Sequence, residues 1–277
     1  MELSNREIEK LKKIAKKLRM NVLKMVTNAG SGHLGGSLSA AEIITALFFK
    51  KMRLNPKNPE WEDRDRFILS KGHACPIVYA ALAELGYFPE EELLTLRKLG
   101  SRLQGHPDRR LTPGIEMSTG SLGQGLSVAN GLALGLRLNK KKAKVYVLIG
   151  DGESQEGQIW EAAMTAGHYK LDNLCAILDY NQMQIDGFVN EIKRLEPLSE
   201  KWRAFGWETI EIDGHSFLQI MKAFEKADTV KGKPTIIIAK TVKGKGVSFM
   251  EFNNYFHGKA PTKEECEKAL KELEKDD

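Results

Sequence analysis

The chain has 277 residues, of which 42% are hydrophobic and 29% charged, a composition typical of a folded globular protein rather than a disordered one. Its longest apolar stretches, such as the run at 40–49, fall far short of the roughly 18 residues that a transmembrane helix needs. The formal charge of +5 comes from lysines that alternate with glutamates, without a basic run interleaved with aromatic residues, so it does not indicate nucleic-acid binding.

The start of the chain and its cysteines indicate the compartment. Residues 1–4 lead into a charged segment instead of the apolar stretch of a secretory signal. Cys75, Cys175 and Cys266 are far apart and match neither a CxxC metal pattern nor a dense disulfide framework. We therefore expect reduced cysteines and a cytoplasmic protein that does not bind membranes.

The first predicted element is an amphipathic helix. Between residues 7 and 26, apolar side chains recur at helical spacing, with lysines on the opposite face. A glycine-rich loop at 30–36 follows. Ser39, with Glu42 three residues later, predicts a capping box at the start of a second helix that runs to Phe49.

Short apolar runs then alternate with helical patterns. This alternation predicts an α/β fold, a parallel sheet of about five strands with helices on both faces, and no linker or repeat divides it. We therefore expect a single domain over 1–277, with its motifs within about 10–262. The predicted strands are 67–69, 144–149, 174–179, 208–212 and 235–239, and the helices between them are 75–85, 124–138, 159–169 and 217–227.

The strongest chemical signal is a buried strand that ends in Gly-Asp-Gly at 150–152. Ligands of open α/β sheets bind beyond the carboxyl ends of the strands, which is where Asp151 is expected. Twenty-eight residues separate Gly152 from Asn181, enough for one helix and the next strand, so a right-handed crossover would place Asn181 beside Asp151. With the backbone carbonyl of Met183, these oxygens would suit Mg²⁺ bound to a diphosphate.

Three alternative interpretations of these glycine motifs are weaker. Asp-Gly alone is a common turn dipeptide. A phosphatase of the haloacid dehalogenase type needs an Asp where this chain has Gln155, and its nucleophile motif is incomplete at 63–67. The dinucleotide fingerprint is also absent, since 123–128 lacks a third glycine and does not follow a predicted strand.

Four of the six histidines adjoin a glycine in predicted loops: His33, His73, His106 and His257. Imidazole titrates in the range that proton transfer to and from sugar hydroxyls requires. Any single one is explained as a turn residue, but four in such settings predict a polyol site. His168 at a helix end and His215 in a turn need only structural roles.

Six motifs in series resemble the transketolase branch of the thiamine-diphosphate enzymes, over residues 10 to 262. These motifs are Gly-His at 32–33, Ser-Lys-Gly-His-Ala at 70–74, Gly-His-Pro at 105–107, Thr-Gly-Ser-Leu-Gly-Gln-Gly at 119–125, Gly-Asp-Gly-Glu-Ser-Gln-Glu-Gly at 150–157 and His-Gly at 257–258. The resemblance implies the thiamine-diphosphate-binding fold, specifically its pyrophosphate-binding domain.

The resemblance also implies roles for individual residues. Asp151, Asn181 and the Met183 carbonyl would hold Mg²⁺ or another divalent cation. Thiamine diphosphate would contact a set of residues from several loops, and Glu156 would in addition link two cofactor sites across a subunit interface. The implied cofactor-binding residues are His73, Gly120, Ser121, Leu122, Gly152, Glu156, Asn181, Ile185, Lys243 and His257, and the implied catalytic residues are His33, His73, His106, Glu156 and His257.

The implied reaction is the transfer of a two-carbon ketol unit from a ketose phosphate to an aldose phosphate, with the cofactor as electron sink. The glutamate that activates the cofactor in this family lies in a pyrimidine-binding domain, which this sequence lacks. We therefore expect an N-terminal subunit that acts with a C-terminal transketolase subunit, in a heterotetramer of two chains each.

Two alternatives stay open at this point. One is half of another thiamine-diphosphate enzyme, similar to 1-deoxyxylulose-phosphate synthase or to 2-oxo-acid decarboxylases. The other is a non-catalytic cofactor-binding scaffold subunit. His-Leu-Gly-Gly at 33–36 also departs from the His-Pro of many relatives, which leaves the sugar preference open.

Overall fold

The computed structural model describes residues 3–275 and contains a five-stranded parallel sheet. The sheet order is β1-β2-β3-β7-β6, and β4 pairs with β5 in a separate short hairpin. The strands are β1 Arg66–Leu69, β2 Val145–Gly150, β3 Leu174–Tyr180, β4 Met183–Gln184, β5 Gly187–Phe188, β6 Glu208–Asp213 and β7 Thr235–Lys240. The predicted α/β class and all five predicted sheet strands are confirmed.

Helices cover both faces of the sheet. Each predicted crossover helix is present, with ends that differ from the predicted ones by a few residues at most, and α1 extends beyond the predicted segment at both ends. The helices are α1 Asn5–Ala29, α2 Gly35–Ser39, α3 Ala41–Ala46, α4 Cys75–Glu84, α5 Gln124–Leu138, α6 Gly157–His168, α7 Val189–Ile192, α8 Leu198–Ala204, α9 Phe217–Thr229 and α10 Lys263–Lys275.

Alternate residues of the central strands enter two hydrophobic cores, one on each face. Along β2, Val145, Val147 and Ile149 pack with α5 and α6, whereas Tyr146 and Leu148 face the core that α1, α4 and α9 share. All six residues of β2 are buried. A strand covered on both faces reads as a continuous apolar run, and this explains why the run before Asp151 lacks polar alternation.

The parallel register brings several loops to one edge of the sheet. Gly150 at the end of β2 pairs with Asp179 of β3, and Asp179 pairs with Ala239 of β7. The segments after β1, β2, β3 and β7 therefore leave the sheet side by side. Ligand sites of open α/β folds form at such an edge.

The predicted capping box at Ser39 is wrong. Residues 35–46 form two short helices, and Ala40, at the N-cap of α3, has no side chain that can cap it. The Ser39 hydroxyl donates to the Asp179 carboxylate at 2.6 Å, and Glu42 accepts from Arg19. Both side chains are buried, and buried polar groups bond to whatever partner the fold supplies. A capping box does start α1, where Ser4 and Glu7 bond reciprocally.

Cys75, Cys175 and Cys266 are all buried and unpaired, as the spacing predicted. Within residues 3–275, no helix combines the length and the apolarity that crossing a bilayer requires.

Candidate active site

The predicted site residues converge on one cavity of about 360 Å³ at the carboxyl edge of the sheet. Every residue predicted for the site lines it except Ser121, which is exposed on the loop before α5. The predicted residues that line it are His33, His73, His106, Gly120, Leu122, Asp151, Gly152, Glu156, Asn181, Met183, Ile185, Lys243 and His257.

Asp151 and Asn181 lie in neighbouring loops, as the strand spacing predicted. Asp151 follows β2, and its carboxylate accepts from the backbone N–H groups of Gly152 and Gln182. Gln182 has a φ of 66°, an uncommon left-handed conformation for a residue that is not glycine. This bend follows Asn181 directly, and the Asn181 side-chain oxygen accepts from the Met183 N–H at 3.1 Å.

The chemistry of these groups fits a hard divalent cation. Asp151 is 2% exposed, and burial, together with the nearby Asp179 charge, raises the pKa of Asp151 to about 7. A carboxylate, an amide oxygen and a peptide carbonyl are the oxygen donors that Mg²⁺ accepts. No cluster of three or more His, Cys, Asp or Glu that could hold a metal occurs within residues 3–275. A cation held by these three oxygens would take its remaining oxygen ligands from a bound ligand or from water.

Lys243 supplies a buried positive charge at the same place. Its ammonium donates to the Met183 carbonyl at 3.4 Å, and the side chain is 1% exposed. Burial lowers the pKa of Lys243 to about 8, although the Asp151 charge opposes this shift. A cationic group beside a carboxylate and a carbonyl can contact an anionic ligand and the oxygens that bind its counterion.

The four glycine-flanked histidines form one cluster around His33. The centroid of its ring lies 5.2 Å from that of His73, 5.4 Å from that of His257 and 6.1 Å from that of His106. These residues come from segments up to 224 positions apart in the chain, yet all four line the same cavity. Gly120 packs on His106, since a Cβ there would lie 3.2 Å from the imidazole.

The histidine rings are neutral at physiological pH. Burial lowers the pKa of His33 to about 4 and that of His257 to about 3, and it lowers the pKa values of His73 and His106 as well. Nearby cations, Arg97 at His33 and Lys243 at His257, act in the same direction.

Two ring nitrogens in this cluster are buried without a hydrogen-bond partner. Within residues 3–275, these are the Nδ1 atoms of His33 and His257. Buried polar atoms are usually bonded, so these nitrogens indicate that the cavity receives a polar ligand. This observation and the oxygen donors around Asp151 make the residues present compatible with a diphosphate cofactor and its cation.

The outer wall of the cavity is exposed. Glu156 precedes α6 and is exposed, and Ile185, at the tip of the β4–β5 hairpin, is 68% exposed. Leu122 is half-buried on the loop before α5. An apolar side chain, that of Ile185, is thus exposed at the edge of a cavity that buried charged groups line.

Three buried groups of the site were not predicted from the sequence. Lys71 and Asp179 form an ion pair at the floor of the site, and Lys71 also donates to the Gly36 carbonyl at 2.9 Å. Although burial opposes its ionisation, the Lys71 charge lowers the pKa of Asp179. Glu153, two residues after Asp151, is the third. The sequence signal that could have revealed these groups is their charge, since each lies at or just after the end of a strand that was predicted to be buried.

The two excluded histidines lie outside the cavity. His168 is the exposed last residue of α6. His215 lies between Glu42, 2.9 Å from its Nδ1, and the Val242 N–H, which donates to its Nε2 at 2.9 Å. These contacts fit the structural roles predicted for both.

One protein family and several individual proteins match nearly the whole chain. Residues 10–276 match the family described as transketolase, thiamine diphosphate binding domain. The chain is 50% identical over 274 residues to the 6-deoxy-6-sulfo-D-fructose transketolase subunit SqwG of a Clostridium species, and the match covers 99% of both chains. It is 43% identical to one of the subunits of the apulose-4-phosphate transketolase of Phocaeicola vulgatus, with 96% of this chain and 95% of the relative covered.

Solved structures show the same relationship. Transketolase from Campylobacter jejuni superposes with a TM-score of 0.91 at 37% identity, over 96% of this chain and 43% of that one. The chain thus spans nearly all of the two subunit relatives but less than half of this solved transketolase. From its family match, its identity to these subunits and its fold, the chain belongs to the transketolase family, within which it corresponds to the thiamine diphosphate-binding domain.

Proposed function

We propose that the chain is the N-terminal, cofactor-binding subunit of a two-chain transketolase that depends on thiamine diphosphate and Mg²⁺. The observation that carries the proposal is the convergence of Asp151, Asn181, Lys243 and the histidine cluster on one cavity. The names of the subunit relatives support the division into two chains. In this proposal residues 1–277 form one domain of a cytoplasmic enzyme.

The cation and the diphosphate would bind at the ends of β2 and β3. Asp151, the Asn181 amide oxygen and the Met183 carbonyl would hold the cation, and Lys243 and the Gly152 backbone would contact the phosphates. A Cβ at Gly152 would lie 3.2 Å from the Gln184 side chain, which would have to shift by a few tenths of an ångström to accept it. Gly120, Ser121 and Leu122 would line the aminopyrimidine, and Ile185 would pack against the thiazolium.

Bound thiamine diphosphate supplies the electron sink for cleavage of a carbon–carbon bond next to a carbonyl. His33, His73, His106 and His257 would bind the substrate hydroxyls and move protons to and from its oxygens. Neutral imidazoles suit this task, since each ring has one nitrogen that donates and one that accepts. Their lowered pKa values keep them in this form at neutral pH.

The exposed outer wall is where the partner would bind. A C-terminal subunit with a pyrimidine-binding domain would cover Ile185 and contact Glu156, whose exposed carboxyl would then join a network between two cofactor sites. Two copies of each chain would form a heterotetramer. The partner would supply the glutamate that activates the cofactor, together with cationic groups that bind the anionic end of the sugar.

Two substrate classes follow from this assignment. The first is a ketose phosphate donor with an aldose phosphate acceptor, as in the pentose phosphate pathway. The second is a ketose with a terminal sulfonate, favoured by the 50% identity to a subunit named for 6-deoxy-6-sulfo-D-fructose. Both are anionic sugars with vicinal hydroxyls, which the histidine cluster would bind in the same way.

The test is reconstitution with the partner. The tagged chain is isolated from its own cells with any associated chain, and both proteins are then purified separately and mixed. Mg²⁺, thiamine diphosphate, an aldose phosphate and either a phosphorylated or a sulfonated ketose are supplied. We expect ketol transfer by the mixture and none by the isolated chain.

Three other outcomes would each contradict a part of the proposed function. Substantial turnover by the isolated chain would refute the divided active site. Condensation of pyruvate with an aldose phosphate, with release of CO₂ and without ketol transfer, would identify an enzyme similar to 1-deoxyxylulose-phosphate synthase instead. Cofactor binding by the mixture with no turnover of any substrate would identify the scaffold alternative.

A further inference from the structure

Glu153 is a buried carboxyl that makes hydrogen bonds to three different segments of the chain. It lies in the 3₁₀ turn Gly152–Gln155 and is 2% exposed. One carboxyl oxygen accepts from the Ser70 hydroxyl and from the Gly123 N–H at 2.9 Å, and the other accepts from the Gly150 N–H at 2.9 Å. The binding and catalytic roles proposed for the other residues of the site do not involve this side chain.

The three donors belong to segments that carry different parts of the site. Ser70 follows β1 and precedes His73 by three positions. Gly123 ends the loop that contains Gly120 and is the N-cap residue of α5. Gly150 is the last residue of β2, next to Asp151. A single carboxyl therefore joins the segment of the His73 ring, the loop at 119–123 and the segment of the proposed cation ligand.

These segments are packed so closely that their spacing is sensitive to small changes. A Cβ on Gly125 would lie 2.4 Å from the Ser70 hydroxyl oxygen. One on Gly72 would lie 2.6 Å from the Thr119 hydroxyl and 2.8 Å from the Gly120 nitrogen. Gly123 itself has a φ of +87°, a left-handed conformation that favours glycine. Because these segments are in direct contact, a shift of one of them after loss of the carboxyl would also displace its neighbours.

A carboxylate suits this position better than other side chains. A carboxylate presents only acceptors, which is what the three donors around it require. Glutamine has the same shape, but its amide nitrogen would face one of the three donors and leave it unpaired. An unpaired buried donor is costly, so Glu153→Gln is expected to open one of these contacts.

We propose that Glu153 is a positioning residue that fixes the distance between the loop at 119–123 and the segments after β1 and β2, so that one cofactor can contact all three. Its effect on the cofactor rests on the proposed function, whereas its effect on the loops does not.

The first experiment tests the loops in the full chain alone, without cofactor. Hydrogen exchange is followed by mass spectrometry in the parent, Glu153→Gln and Ser70→Ala. We expect exchange in the peptides that contain Gly123 and Gly150 to accelerate at least tenfold in Glu153→Gln. The expected acceleration is about threefold in Ser70→Ala, which loses one hydrogen bond and keeps two. Exchange in β3 should not change.

Val145→Ala is the matched control. Val145 is fully buried at the opposite end of β2, so its truncation lowers stability without contact to the three loops. If hydrogen exchange in these peptides accelerates as much in Val145→Ala as in Glu153→Gln, Glu153 contributes only to general stability. That result would overturn the proposal. Unchanged exchange in both loop variants would overturn it as well, and Ser70→Ala decides the matter if Glu153→Gln does not fold.

The second experiment measures the cofactor in the assembled two-chain enzyme. Thiamine diphosphate with Mg²⁺ is titrated calorimetrically below the melting temperature of every variant. We expect the dissociation constant to rise at least tenfold in Glu153→Gln and to stay at the parent value in Val145→Ala. Looser loops with unchanged affinity would overturn the positioning role. Absence of binding by the parent would refute the proposed function, and the exchange data would still decide whether Glu153 holds the loops.

Discussion

Replacement of His33 by Asn should change how the stability of the chain depends on pH. Burial lowers the pKa of His33 to about 4 in the folded chain, whereas an unfolded chain returns the imidazole to its ordinary value of 6.5. Below pH 6.5 the unfolded state therefore binds a proton that the folded state refuses. Stability is complete above this value and falls as the pH decreases towards 4.

The size of this loss of stability follows from the lowered pKa of His33. One pKa unit corresponds to about 1.4 kcal/mol, so acidification from pH 6.5 to about pH 5 would cost about 2 kcal/mol for a fully buried ring. The His33 ring is partly exposed, and solvent screening reduces the expected contribution to about 1 kcal/mol. His33→Asn should therefore lose about 1 kcal/mol less than the parent over this interval.

The assay is urea unfolding of the cofactor-free chain at several pH values between about 5 and about 7.5. The slope of the unfolding free energy against pH is compared between parent and variant. His168→Asn, a substitution of an exposed histidine outside the cluster, controls for the loss of a histidine as such. Parallel curves for the parent and His33→Asn would refute the conclusion that this ring is neutral because it is buried.

Three other predictions concern the site. Asp151→Ala should abolish Mg²⁺-dependent binding of thiamine diphosphate to the assembled enzyme, measured by calorimetry with circular dichroism as the control for folding; unchanged affinity would remove the cation assignment. His106→Ala should lower kcat/KM by about 10²-fold with little change in cofactor affinity, whereas His73→Ala should also weaken cofactor binding; near-normal kinetics in both would mean that the cluster is structural. Lys71→Met should lower the free energy of unfolding in urea by about 3–5 kcal/mol, because the buried charge of Asp179 loses its cation. Asp179→Asn added to this variant should recover part of the loss. A loss of less than about 1 kcal/mol in Lys71→Met would contradict the importance of the ion pair.

The elements of the fold were predictable because their signals are local. The apolar run of β2 and the helical spacing of α1 each reflect the burial of one short segment. Asp151 and Asn181 were also placed correctly, since the handedness of a strand–helix–strand unit dictates where its loops emerge. The prediction at Ser39 failed because its hydroxyl bonds to Asp179, 140 residues later in the chain.

The sequence by itself determined the α/β class, the order of strands and helices and the residues able to carry chemistry, since these depend on spacing within a few tens of residues. Only the tertiary structure decided which loops meet: that His33 is the centre of the histidine cluster, that Lys71 pairs with Asp179, and that Glu153 joins three segments. The physical reason is that burial and hydrogen bonding act through space. A side chain loses its water to neighbours that are remote in the chain, and those neighbours set its charge and its bonds.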